Sequence, residues 1–343
     1  MYRFKKYTAL FLAFLLTVSL FGCGAKPASS GHSYSEVYTQ ESARLTADAD
    51  GKFRILKIND THFRNGVCED DEKTLAELKI ILDNTPCDLI VMDGDLVEGT
   101  TSDKTYDKYQ AAATFAELLE SYKTPWTFAP GNNDGEKDGS NEDLIAYLLQ
   151  YPHCLAGNVE GIRGAMQFFI DVESADGELL HTVAVLDSLS RKIQSIGPYD
   201  SIKENQIEWL LQGVNERKVP ASVFFHMPTP AFETAYQEGT AYADFPFCDE
   251  YPVGDIKGNQ LFDDKTADNP YIALLSAGHV HSDNLAYLYN NRWYQLSSLS
   301  GYGAVGSDKH APSCTLTTVH CLSSSTEDMY TFKKLSASDF VGL

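Results

Sequence analysis

The chain of 343 residues is short of positive charge: 27 lysines and arginines stand against 48 aspartates and glutamates, a formal net charge of −21. A surface of that sign repels polyanions, and the missing basic footprint excludes a long nucleic acid as a partner. A small anionic substrate stays compatible only if a local positive charge, such as bound metal, overrides the global field. No two cysteines stand at CxxC spacing, which excludes the common structural zinc framework. The N-terminal apolar run, Ala9 to Leu20, is too short to cross a bilayer comfortably. No internal repeat is present.

What the chain does have begins with Arg3, Lys5 and Lys6 ahead of that apolar run, the pattern of a secretory signal over residues 1–22. The run ends in LFGCGAK, which resembles a bacterial lipobox and implies a lipid on Cys23 after cleavage. An ordinary signal peptide cut nearby would leave Cys23 incidental; either route puts the mature chain outside the cytoplasm, on the bacterial cell membrane if the lipid is present. Residues 23–48 are small, polar and without period, as expected of a flexible lipid-anchored tether. Of the other cysteines, Cys68, Cys87, Cys154, Cys248, Cys314 and Cys321, an even number permits disulfides whose pairing the sequence cannot choose. Cys314 and Cys321 are disfavoured as a pair, because the alternation of CTLTTVHC reads as one extended strand that holds them apart.

With 43% hydrophobic residues, the chain of 343 can bury a large core, and residues 49–343 read as one large domain. Short apolar runs alternate with polar turns and helical stripes, which predicts an α/β fold. Strands are expected at FRILKIND, CDLIVMDGD, TPWTFAPG, ASVFFHM and PYIALLSAGHVH, and helices around TLAELKIILDN, DKYQAAATFAELLESYK, NEDLIAYLLQY and ENQIEWLLQGVNERK. MQFFIDVE and TVAVLDS read as a hairpin. LAYLYNN, RWYQLSSLS, CTLTTVHCL and MYTFKKL read as closing antiparallel strands. Segment 228–268 has weak periodicity and reads as an insertion beside the site that shapes the substrate pocket.

The residues that carry chemistry stand just after the expected strands: Asp60 and His62, Asp95, Asn132, His226, then His279 and His281. In open α/β sheets ligands bind beyond the carboxyl ends of strands, so segments distant in sequence can converge there. Imidazole, carboxylate and amide together suit Zn, Fe or Mn. Asp95 is the natural carboxylate to share between two ions, because Gly94 permits close approach.

In order, the blocks are Asp60-Thr61-His62, Gly94-Asp95, Gly131-Asn132-Asn133-Asp134, His226 and Gly278-His279-Val280-His281. Together they resemble the calcineurin-like metallophosphoesterases, and LDSLS, IKENQIEWL and FFHMPTPAF are similar to the subgroup related to purple acid phosphatases. Glu98 stands where true purple phosphatases carry an iron-binding tyrosine, so that iron site is not implied. The resemblance implies a four-layer α/β/β/α sandwich with two divalent or trivalent ions (Fe, Zn or Mn) at one edge. It assigns Asp60, His62 and His281 to one metal and Asn132, His226 and His279 to the other, with Asp95 bridging. It further implies hydrolysis of a small phosphate ester by a metal-held hydroxide. Asn133 takes the place of the family's loop histidine, which is proposed to protonate the leaving oxygen, and Asp134 that of the residue orienting it. An amide cannot deliver a proton at neutral pH, so three outcomes are open: esters with easy leaving groups, replacement by another donor such as His310, or metal and phosphate binding with little turnover. Arg64 is a lesser candidate for balancing phosphate charge, and Cys68 and Cys87 are expected to be structural.

Overall fold

The computed structural model describes residues 42–341, apart from 100, 137–138, 193–198, 244–258 and 283. The expected signal, Cys23 and most of the expected tether lie outside the described residues, as does Cys248. The chain runs through β1 (Ser42–Thr46), β2 (Lys52–Ile58), α1 (Glu69–Asn84), β3 (Leu89–Met92), α2 (Lys108–Tyr122), β4 (Trp126–Phe128), α3 (Asn141–Leu148) and β5 (Cys154–Leu155). It continues with β6 (Gln167–Glu173), β7 (Leu179–Leu186), α4 (Glu204–Arg217), β8 (Ala221–Phe224), α5 (Pro230–Glu238), β9 (Thr240–Ala241), α6 (Gln260–Thr266) and β10 (Ile272–Ala277). β11 (Leu285–Tyr289), β12 (Arg292–Leu296), β13 (Cys314–His320) and β14 (Tyr330–Leu335) complete it.

Two sheets result, one in the order β14-β13-β2-β3-β4-β5 and one in the order β1-β6-β7-β8-β10-β12-β11-β9. β2, β3 and β4 are parallel neighbours, as are β7, β8 and β10, because helices return the chain between them. Side-chain alternation then builds four layers. Val183 and Val185 of β7 join the core that includes β2, β3 and α1 to α3, whereas Ala184 and Leu186 face Leu210, Phe232 and Phe262 of α4, α5 and α6. The α/β/β/α sandwich follows from that period. The start of α3 is set by Ser140, whose hydroxyl accepts from Asp143 N at 3.2 Å while Asp143 reaches back to the Ser140 N–H.

Three expectations are corrected. Ser42–Thr46 is strand, not tether, since it pairs with β6 in parallel register and forms the edge of that sheet. The described part of segment 228–268 contains helices α5 and α6, whose Phe232 and Phe262 are fully buried against Phe225; their apolar stripes were too short to show a period. β12 pairs parallel with β10 and antiparallel with β11, so the late strands are not uniformly antiparallel. Cys68, Cys87, Cys154, Cys314 and Cys321 are free thiols, and Cys314 begins β13, with Cys321 just past its end. No helix among the described residues is long and apolar enough to cross a membrane.

Two buried polar links join the sheets. Lys57 of β2 donates to Ser276 Oγ at 2.9 Å and to Ala277 O at 2.7 Å in β10. His181 of β7 has its Nε2 2.9 Å from Ser222 Oγ, which lies 3.1 Å from Tyr330 OH in the other sheet. Burial pushes the His181 imidazole down to about 3. The unfolded chain takes up a proton near 6.5 that the native state refuses until about 3, so stability is lost as pH falls through that window and is unaffected above it. With chelator present, the His181→Gln variant should lose about 2 kcal/mol less stability than wild type between pH 7.5 and pH 5 in urea unfolding. An identical pH slope in both proteins would remove His181 as its source.

Candidate metal centre

The carboxyl ends of β2, β3, β4, β8 and β10 deliver the predicted side chains to one place. The turns that carry them are stitched together: Asp60 N–H donates to Gly94 O at 2.9 Å, His62 N–H to Asp95 O at 3.0 Å, and Gly278 N–H to His226 O at 3.0 Å. Asp60, His62, Asp95 and His279 all have positive φ, between 48° and 69°. Such conformations are costly for residues with a Cβ and concentrate where surrounding structure enforces a functional geometry. Approach is close enough to require glycine: a Cβ on Gly131 would lie 2.2 Å from Asp95 Oδ1, and one on Gly94 would lie 2.3 Å from His226 Nδ1.

Two groups of ligand atoms form, each within 4.8 Å: Asp60, His62, Asp95 and His281, and Asp95, His226 and His279. Asp95 belongs to both. Within the first, His281 Nε2 is 3.3 Å from Asp60 Oδ1 and 3.2 Å from His62 Nε2, and His62 Nε2 is 3.5 Å from Asp95 Oδ2. In the second, His226 Nε2 is 3.2 Å from Asp95 Oδ2. Asn132 is buried, and its Oδ1 makes no hydrogen bond; neither do the buried Asp60 Oδ1 and His226 Nε2. Orphaned acceptors cost stability when buried, and a divalent cation is the partner that suits carboxylate, amide oxygen and imidazole nitrogen together. The tautomers agree. His226 Nδ1 donates to Asp93 O at 2.8 Å and His281 Nδ1 to Val305 O at 2.7 Å, which turns each Nε2 toward the cluster. The residues present therefore fit metal ions.

The electrostatics point the same way. Asp60, Asp93, Asp95 and Asp134 are all at most 1% exposed. Burial opposes ionisation of Asp95, yet the neighbouring His226, His62 and His279 hold its carboxyl well below the usual range. Burial likewise disfavours charge on His226, but Asp95 and Asp60 outweigh it and push the imidazole up to about 10. His279 is pushed down to about 4 by burial, with His226 adding repulsion. Lys57 offsets part of the negative charge from 3.5 Å away at Asp93 Oδ2, although burial pulls its ammonium down to about 8.

The family model described as calcineurin-like phosphoesterase matches residues 53–283. The chain belongs to that family. It is 27% identical to probable inactive purple acid phosphatase 28 of Arabidopsis thaliana over 351 aligned positions, covering 88% of this chain and 84% of that protein. It is 28% identical to protein C1020.05 of Schizosaccharomyces pombe, covering 72% of this chain but only 49% of that longer relative. The fold is similar to that of a dimetal phosphatase from Danio rerio, with a TM-score of 0.54 and 11% identity over 83% of this chain and 98% of the other. Family membership and the cluster together support a metal-dependent phosphoesterase.

Other expected residues divide. Asn133 lies at the cluster, its backbone N–H 2.8 Å from Asp95 Oδ1 and its Nδ2 2.6 Å from Asp95 Oδ2. The Asp134 carboxylate accepts from the N–H groups of Asp95 at 2.9 Å, Val97 at 3.1 Å and Gly131 at 2.7 Å, so it clamps the β3 turn to the β4 turn. Three backbone donors consume a carboxylate that the sequence motif offers to a neighbouring histidine. Arg64 pairs with Asp70 at 3.5 Å, and the backbone N–H of His310 donates to Gly306 O at 3.0 Å within its own loop. Sequence reasoning missed Lys57 and Asn59. Lys57 could have been noticed as the charge set among Ile55, Leu56 and Ile58 of β2. Asn59 Nδ2 donates to Asp60 Oδ2 at 2.6 Å and carried no signal.

Replacing Asp134 by Asn removes the charge that gathers three N–H groups, and the expected loss is about 3 kcal/mol of stability. Thermal unfolding with and without Zn or Mn should show a lower midpoint and a smaller cation-induced rise than in wild type. If the Asp134→Asn variant lost turnover with an unchanged midpoint, the clamp would not be the role of Asp134 and a direct catalytic one would stand.

Proposed function

We propose that the chain is an extracytoplasmic dinuclear-metal phosphoesterase acting on a small phosphate ester. Asp60, His62 and His281 would hold one cation, Asn132, His226 and His279 the other, and Asp95 would be shared; Fe, Zn and Mn suit this set. The observation that carries the reading is the convergence of five strand ends on buried atoms that lack hydrogen bonds, Asp60 Oδ1, Asn132 Oδ1 and His226 Nε2. Bound cations supply Lewis acidity to the phosphoryl group and to water.

The chain's own residues set the limits of that chemistry. Asn133 spends both its backbone N–H and its amide on the two oxygens of Asp95, fixing the shared carboxylate. An amide so engaged holds geometry but has no acidic proton for a departing oxygen. A missing general acid removes on the order of 10²–10⁴ in rate, and the loss is smallest for leaving groups stable as anions. Substrate-restricted hydrolysis is therefore our reading. The alternative is a metal- and phosphate-binding protein with little turnover, which Asn133 also favours and which accords with the name probable inactive borne by the Arabidopsis thaliana relative.

Metal-loaded protein assayed on aryl phosphates of rising leaving-group pKa should show a steep decline in rate. Asn133→His should flatten that decline and raise the rate on the poorest leaving group about 100-fold. An unchanged slope would refute the missing-acid account, and no turnover by either protein, with phosphate still bound, would establish the binding alternative. For location, we propose the lipid anchor at Cys23: Cys23→Ser should move the chain from the membrane to the soluble fraction of a bacterial host. Equal partition of both forms would dismiss the anchor.

A further inference from the structure

The backbone that delivers the shared carboxylate also delivers a further acid. Beyond β2 and β3, residues 60–63 and 94–98 run side by side as a short parallel ladder: Asp60 N–H donates to Gly94 O, His62 N–H to Asp95 O, Phe63 N–H to Leu96 O, and Glu98 N–H back to Phe63 O. Thr61 Oγ1 adds a bond to Leu96 O at 2.9 Å, and Asp134 holds the Val97 N–H at 3.1 Å. This register sets Glu98 beside His62, with Glu98 Oε2 3.6 Å from His62 Nδ1. The opposite nitrogen, Nε2, enters the first ligand group, 3.5 Å from Asp95 Oδ2 and 3.2 Å from His281 Nε2. The His62 ring therefore stands between Glu98 and the cluster.

The other imidazoles are backed differently. His226 Nδ1 and His281 Nδ1 meet the backbone carbonyls of Asp93 and Val305, and the His279 ring packs against those of Tyr199 and His226. A neutral carbonyl orients a ligating ring. A carboxylate in the same place also adds negative charge, which keeps hydrogen on the outward nitrogen and makes the inward one a stronger ligand. The first group, moreover, contains two carboxylates, Asp60 and Asp95, and the second contains Asp95 alone. Glu98 thus adds to an asymmetry that the ligands themselves begin.

We propose that Glu98 is a positioning residue of the metal centre, acting through His62 to make the first ligand group the stronger, so that Asp60, His62, Asp95 and His281 take up their cation before the second group is filled. The inference rests on the metal-dependent reading above and adds a regulation to it. At limiting metal the chain holds one ion, and turnover requires filling of the weaker second group.

The test titrates metal-free full chain with Zn(II), read by calorimetry, and with Co(II), read by its visible absorption. Wild type should show two binding steps of unequal affinity. Glu98→Gln keeps the size and removes the charge at a side chain 23% exposed, so the metal-free thermal midpoint should not fall. It should weaken the tighter step about tenfold to 100-fold and leave the weaker step within about twofold. The effect should persist in a His279→Gln background, where the first group is intact. In a His62→Gln background it should shrink to less than about twofold, because the ring that transmits it is gone. Equal affinity of the two wild-type steps would overturn the inference. So would an unchanged tighter step in Glu98→Gln, or an undiminished effect without His62; in each case the measured binding would leave the metal-dependent reading standing. Absence of any metal binding would overturn that reading and this inference together.

Discussion

An excess of buried negative charge governs this molecule. Asp60, Asp93, Asp95 and Asp134 lie together at the edge where the two sheets meet, nearly removed from water. Lys57 offsets one of them from within the sheet interface, and the N–H groups around Asp134 satisfy another. Asp60 and Asp95 are left facing the imidazoles of His62, His226, His279 and His281. Buried charge without a partner is expensive, so the arrangement makes sense as a cradle for cations. The positive-φ turns at Asp60, His62, Asp95 and His279 are the backbone strain that the cradle requires.

Holding such a cluster takes more than its ligands. Lys57 reaches from β2 to Ser276 and Ala277, so one side chain relates the strand leading to Asp60 to the strand leading to His279. Asp93 offers its carbonyl to His226 and its carboxylate to Lys57. Asp134 joins the turn of Asp95 to that of Asn132. Asn133 completes the set from outside, with two donors on the shared carboxylate. The chain thus has a well-ordered binding geometry at a position where a proton donor would have served turnover. That exchange is the physical basis for expecting restricted chemistry.

Much of this was legible from local pattern. The strands ending in Asp60, Asp95, His226 and His279 announce themselves as short apolar runs stopped by polar motifs, and all are present in the fold. Where reading failed, the cause was nonlocal. Ser42–Thr46 has little intrinsic strand signal and is a strand because β6 offers it an edge. The helices within segment 228–268 are short, and their order comes from Phe232 and Phe262 packing on Phe225. Asp134 fits a catalytic motif by its neighbours in sequence, yet its neighbours in space are three backbone amides.

Taken alone, the order of residues determined the fold class and the motif blocks whose side chains gather at the cluster, because periodicity and residue chemistry are properties of short segments. Tertiary structure decided what each of those side chains is free to do. Whether a carboxylate binds an ion or clamps a turn, and whether an amide reaches a substrate or a neighbouring aspartate, depends on which distant backbone comes within hydrogen-bond reach. That is set when the two sheets close on each other.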